Sequence, residues 1–156
     1  MVVGDIVHSR VARSDINVLV PLGVTITLSG PPTLMPSAWR CGQTPAGTTY
    51  EPDLDRALDG ADGVIALRLQ KERQEGGLLP SLREYTRVWG LTEARVSLMR
   101  PGAPVMHPGP MNEGVEIDAD VAHGARSLVE RQVTNGVAVR MALLYLLVGT
   151  PTLEAS

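Results

Sequence analysis

MVVGDIVHSRVARSDINVLVPLGVTITLS, residues 1–29, is the stretch that decides the fold. Residues 1–5 read as a buried strand, and a strand with no lead-in points to a chain cut from something longer. Ser9 can cap a helix starting near Arg10. Ala12, Ile16, Leu19 and Gly23 fall at the i, i+4, i+7, i+11 spacing of one helix face, and Pro21 and Gly23 end it. Residues 24–29 alternate as a second strand, stopped by Gly30-Pro31-Pro32. A strand, a helix and a further strand in that order are the opening of a parallel sheet with right-handed crossovers.

The same reading extends down the chain. Residues 33–50 carry Pro36, Gly42, Pro45 and Gly47, which forbid a long helix. Pro52 opens a short helix with Leu54, Ala57 and Leu58 inward, closed by Gly60. Residues 63–67 read as another buried strand, followed by a charged loop at 71–77. Short helices are expected near 81–88 and 93–99, the second capped by Thr92. Residues 104–106 form a last short strand, followed by a Pro- and Gly-rich loop. Val129, Val133, Val137, Met141, Leu144 and Val148 make one apolar stripe on the final helix. The expected order is strand, helix, strand, helix, strand, helices, strand, helix. It implies an α/β three-layer sandwich with a mainly parallel, Rossmann-like sheet and helices on both faces. Residues 1–150 are expected to form one domain, with 151–156 a frayed tail.

Composition excludes several classes. The chain has 156 residues, 44% hydrophobic, enough for one aliphatic core. With a net charge of −3, no Phe and only 3% aromatics, it lacks both the basic field and the stacking platforms that nucleic-acid binding needs. Cys41 is the only cysteine, which excludes an intrachain disulfide and favours a reducing cytoplasm. The longest apolar run, residues 141–149, falls short of the ~20 residues that cross a bilayer, so no membrane partner is expected. His8, His107, His123 and Cys41 lack metal-ligand spacing, and no nucleotide-phosphate loop, dinucleotide fingerprint or serine elbow occurs, so neither metal nor cofactor is expected.

Ligands of open α/β sheets bind beyond the carboxyl ends of the strands. The first strand is followed by His8, Ser9, Arg10 and Arg13; the strand at 63–67 by Arg68, Gln70, Lys71 and Arg73; the last by His107-Pro108-Gly109-Pro110. Guanidinium forks from two strand ends, with the Gln70 amide, suit a small dicarboxylate bearing an amine. The plainer alternative has the arginines solvated, Arg13 and Arg73 paired with Asp15 and Glu75, and His107 a satisfied structural residue.

The motifs at these strand ends resemble one family. Val3-Gly4-Asp5-Ile6-Val7-His8-Ser9-Arg10-Val11-Ala12-Arg13-Ser14, Arg68-Leu69-Gln70-Lys71-Glu72-Arg73, His107-Pro108-Gly109-Pro110-Met111-Asn112 and Asn135-Gly136-Val137 are similar, in order, to the amino-acid-binding half of aspartate carbamoyltransferases. The similarity runs over about residues 2–149. His-Pro rather than His-Cys separates the chain from the ornithine relatives. The resemblance implies an enzyme that joins carbamoyl phosphate to L-aspartate in pyrimidine synthesis. It also implies a role for each matching residue. Arg10 would hold the α-carboxylate of aspartate, and Arg68 and Gln70 the β-carboxylate. Glu72 would orient Arg68, and Lys71 and Arg73 would begin a loop closing over the ligand. The carbonyls of Pro108 and Gly109 would face the reacting amine and the carbamoyl group, supported by His107 and a cis Gly109–Pro110 bond. The family's carbamoyl-phosphate motifs are absent, so carbamoyl phosphate would be held by a missing domain and the chain alone would be inactive. Full-length members form homotrimers largely through that domain. Glu113 stands where the family usually has Arg, which keeps open a non-catalytic paralogue or scaffold subunit beside a complete transcarbamoylase. A generic anion-binding module is the remaining alternative.

Overall fold

The computed structural model describes residues 1–69 and 81–148. Gln70, Lys71, Glu72, Arg73 and the tail at 151–156 lie outside the described residues.

Local signals place most elements. β1 is Val2–Val3, and after it the Ser9 hydroxyl accepts the Ala12 N–H at 3.1 Å, starting α1 (Arg10–Leu19). Ala12 and Ile16 bury against Val2, Ile26 and Leu28, so the expected face of α1 is the packed one. β2 (Ile26–Ser29) follows, then a 3-10 turn at Pro32–Leu34 and the single-turn α2 (Ser37–Arg40).

β3 (Thr48–Tyr50) departs from the expected order, which had no strand between residues 29 and 63. It pairs with β2 through Ile26↔Thr48, Thr27↔Thr49 and Leu28↔Tyr50. Three residues at the sheet edge carry no apolar pattern to read. Their regularity comes from the ladder with β2, not from local sequence.

The remainder follows expectation closely. Asp53 rather than Pro52 is the cap of α3 (Leu54–Leu58), its carboxylate accepting the Asp55 and Arg56 N–H groups. β4 is Val64–Ala66; Ser81 caps α4 (Leu82–Trp89), and Thr92 caps α5 (Glu93–Val96). β5 is Val105–Met106, and the one-turn α6 (Ala119–Ala122), not foreseen in sequence, precedes α7 (Val129–Val148).

The strands form one 5-stranded sheet in the order β3-β2-β1-β4-β5, every neighbouring pair parallel. Alternation divides its side chains. Val2, Leu28 and Ile65 pack under α1, while Val3, Val64, Ala66 and Val105 pack with Leu54, Leu58, Val96 and Val121 on the opposite face. The three-layer α/β architecture is therefore present. The stripe on α7 is a different matter. Only Val129 of that helix is buried, whereas Met141 is 66% and Leu144 57% exposed. Among the described residues, no helix is long and apolar enough to cross a membrane.

Candidate functional site

The strand order brings the candidate residues together. The chain leaves β1 toward β2 on one side, and β4 and β5 lie on the other. The connections that leave the carboxyl ends of β1 and β4 therefore run to opposite sides and open a crevice, the usual ligand position in such sheets. A cavity of about 210 Å3 sits there, lined by Asp5, His8, Ser9, Arg10, Val11, Leu67, Arg68, Pro108 and Gly109. Arg10 stands in the first turn of α1, Arg68 two residues beyond β4, and Pro108 and Gly109 just beyond β5. Of the remaining candidates, His107 and Pro110 flank the cavity wall in sequence without lining it.

Gly4 shapes the entry from β1. Its φ of 126° lies in a region that a side chain disfavours, and a Cβ there would lie 3.1 Å from Leu67 Cβ. The backbone of β1 thus approaches the end of β4 closely enough for Asp5 and Leu67 to border one cavity.

The loop after β5 is held from behind. His107 is 0% and Glu116 1% exposed in their side chains. The Gly109 N–H donates to His107 Nδ1 at 2.9 Å, so that nitrogen accepts. Nε2 then carries the proton and donates to Glu116 Oε1 at 3.2 Å. The same oxygen accepts the Asn112 N–H at 2.7 Å, and Asn112 Nδ2 donates to the Leu69 carbonyl at 3.0 Å. The His107 N–H donates to Gln132 Oε1 of α7. His107 is thus a buried, hydrogen-bonded brace for the Pro108–Gly109 wall, the plainer of its two sequence readings. The Gly109–Pro110 peptide is cis, as the family resemblance implies.

Asp5, Glu116 and Tyr85 were not singled out in sequence. Asp5 is buried and accepts from His8, through the backbone N–H at 3.1 Å and with ring Nδ1 2.9 Å from Oδ1. Burial pushes the Tyr85 phenol far above its usual range, and the Glu116 and Asp5 carboxylates add to the shift. Only the spacing of Asp5 and His8, three residues apart, hinted at their pairing; nothing local announces Tyr85 or Glu116.

The pairing of Arg13 with Asp15 and the position of Glu113 are corrected, while Arg73 and Glu75 lie outside the described residues. Arg13 donates to the Val7 carbonyl at 2.8 Å, and Asp15 Oδ2 has no hydrogen-bond partner among the described residues. The carboxyl of Asp15 is instead pushed up by burial. Glu113 lies outside the cavity lining and pairs with His123 Nε2 at 3.1 Å. Its charge therefore faces another part of the surface. Among the described residues, no group of His, Cys, Asp and Glu is suited to hold a metal ion.

Comparison with known proteins gives a consistent result. Residues 1–147 match the aspartate/ornithine carbamoyltransferase Asp/Orn-binding domain. The aspartate carbamoyltransferase catalytic subunit of Chloroflexus aggregans is 57% identical over 151 residues, covering 96% of this chain and 48% of that protein. The corresponding subunit of Desulfitobacterium hafniense is 51% identical, covering 97% of this chain and 47% of that protein. The chain therefore spans about half the length of these curated relatives. Among solved structures, ornithine carbamoyltransferase from Pyrococcus furiosus superposes with a TM-score of 0.79 at 21% identity, over 97% of this chain and 50% of that one. Aspartate transcarbamoylase from Trypanosoma cruzi, in complex with carbamoyl phosphate, gives 0.75 at 25% identity, over 92% of this chain and 47% of that one.

Proposed function

The chain belongs to the aspartate/ornithine carbamoyltransferase family through its Asp/Orn-binding domain, and from this we propose that it is the aspartate-binding half of an aspartate carbamoyltransferase of pyrimidine synthesis. The observation that carries the reading is the convergence of Arg10, Arg68, Pro108 and Gly109, from three strand ends, on one cavity. Two guanidinium groups flanking so small a space match the two carboxylates of L-aspartate.

In this reading Arg10 holds the α-carboxylate and Arg68 the β-carboxylate, with Gln70 beside it. Glu72 orients Arg68, and Lys71 and Arg73 belong to a segment that closes over the ligand. The carbonyls of Pro108 and Gly109 accept from the amine and the carbamoyl NH2. Residues 1–150 form the aspartate-binding domain, and carbamoyl phosphate is held by a separate carbamoyl-phosphate-binding half. The amine attacks the carbamoyl carbon, an oxyanion forms, and phosphate leaves. Orientation and preorganised charge supply the rate, without a cofactor or a covalent intermediate. The chain on its own is expected to bind aspartate weakly and turn nothing over, because half a cleft leaves its arginines in water.

The test is complementation. The chain is assembled with the carbamoyl-phosphate-binding half of a relative, and N-carbamoyl-L-aspartate is measured. Product is expected from the assembled pair and not from the chain alone. Arg68→Ala should cost roughly 2–5 kcal/mol in kcat/KM for aspartate, the range for truncating one member of a buried charge pair. An assembled pair that folds, binds carbamoyl phosphate and forms no product would sink the proposal.

A further inference from the structure

We propose that His8, oriented by Asp5, accepts the proton that the amino-acid substrate must lose before its nitrogen can attack. The inference rests on the functional reading above and adds a residue that the reading leaves without a role.

The geometry is that of an oriented imidazole. His8 Nδ1 lies 2.9 and 3.0 Å from the two oxygens of Asp5. The Asp5 side chain is 7% exposed and that of His8 37%, so the carboxylate is buried while the ring reaches the opening. A carboxylate only accepts, which places the ring proton on Nδ1 and leaves the lone pair on Nε2. Among the described residues, Nε2 has no hydrogen-bond partner. A buried aspartate fixing the tautomer of a histidine whose far nitrogen faces a ligand is the arrangement by which hydrolytic triads prepare a base.

Position supports the same role. His8 borders the cavity together with Arg10, Arg68, Pro108 and Gly109. Among the described residues, the charged side chains sharing that cavity are Asp5, Arg10 and Arg68. Asp5, in contact with the ring, faces the imidazolium that forms once the proton is taken. A turn staple alone does not need the ring, because the His8 backbone N–H already closes the turn on Asp5 Oδ1 at 3.1 Å.

The proton balance is complete. The substrate ammonium gives one proton to His8 Nε2, leaving a neutral amine and an imidazolium. The amine lone pair forms the N–C bond to the carbamoyl carbon. The C–O bond to phosphate breaks, phosphate departs with the electron pair, and it takes the second proton from the attacking nitrogen. His8 then returns its proton to solvent. The net products are N-carbamoyl-L-aspartate, hydrogen phosphate and one proton.

Two measurements test this. In the chain itself, the 15N shifts of the His8 ring should show Nδ1 protonated and Nε2 unprotonated at pH 8; the opposite tautomer would overturn the proposal. In the assembled enzyme, kcat/KM for aspartate should fall on the acid side with a single ionisation. His8→Gln should lower kcat roughly 10²–10⁴-fold, the usual contribution of a general base, and remove that ionisation. Asp5→Asn should lower kcat and leave KM for aspartate nearly unchanged. If the wild-type pair is active and His8→Gln keeps both kcat and the acid limb, His8 is only structural and the proposal fails. If the wild-type pair makes no product although it binds both substrates, the functional reading itself fails and this inference falls with it.

Discussion

Tyr85 shows how much a single buried residue determines. The residue is 1% exposed, its ring lies 6.0 Å from that of Trp89, and the Asp5 and Glu116 carboxylates are near enough to act on its phenol. The folded-state pKa is raised, chiefly by burial, above the 10.0 of an ordinary phenol. A neutral phenol is favoured in the fold, so its contribution is fully present below pH 10 and is lost as the pH climbs beyond it, when the unfolded chain can ionise. Stability from urea unfolding should therefore fall between pH 10 and 11 by up to about 1.4 kcal/mol per pH unit for this one proton. Tyr85→Phe should flatten that fall by up to the same amount. An identical alkaline limb in the variant would mean that the phenol reaches water in the folded state. Arg10, Arg68 and the loop prolines were legible in the sequence because their chemistry is local to strand ends. Glu116 and Tyr85 were not, because their roles depend on what they meet across the fold.

Among the elements, α1 links sequence most directly to site. Its apolar spacing sets the buried face, and its cap sets the position of Arg10, the first helical residue. Ser9→Ala removes the acceptor of the Ala12 N–H and should cost about 1 kcal/mol of stability, read from chemical denaturation. The same change should weaken aspartate binding in the assembled enzyme more than that of carbamoyl phosphate, since Arg10 loses its anchor. A loss shared equally between the two ligands would detach Arg10 from the aspartate subsite. β3 is the opposite case. Its three residues are ordered by neighbours on β2, so only the ladder identifies them.

For the molecule as a whole, the uncovered face of α7 is the main departure from a self-contained domain. Val133, Val137, Met141, Leu144 and Val148 are all exposed, so they lose little on becoming polar. Met141→Glu with Leu144→Glu should shift the unfolding midpoint of this chain by no more than exposed substitutions usually do, about 0.5 kcal/mol each. Self-association at high concentration, measured by sedimentation, should fall. A large loss of stability would show that the helix packs on the body in solution. Apart from β3 and the single-turn helices α2 and α6, the order of strands and helices could be read from residues 1–148, as could the caps at Ser9 and Thr92 and the cations at strand ends, because periodicity, capping and charge act over a few neighbours. The arrangement β3-β2-β1-β4-β5 and the pair His107–Glu116 emerged only in three dimensions. Strand pairing joins residues tens of positions apart, and a buried polar group is defined by the partner it finds there.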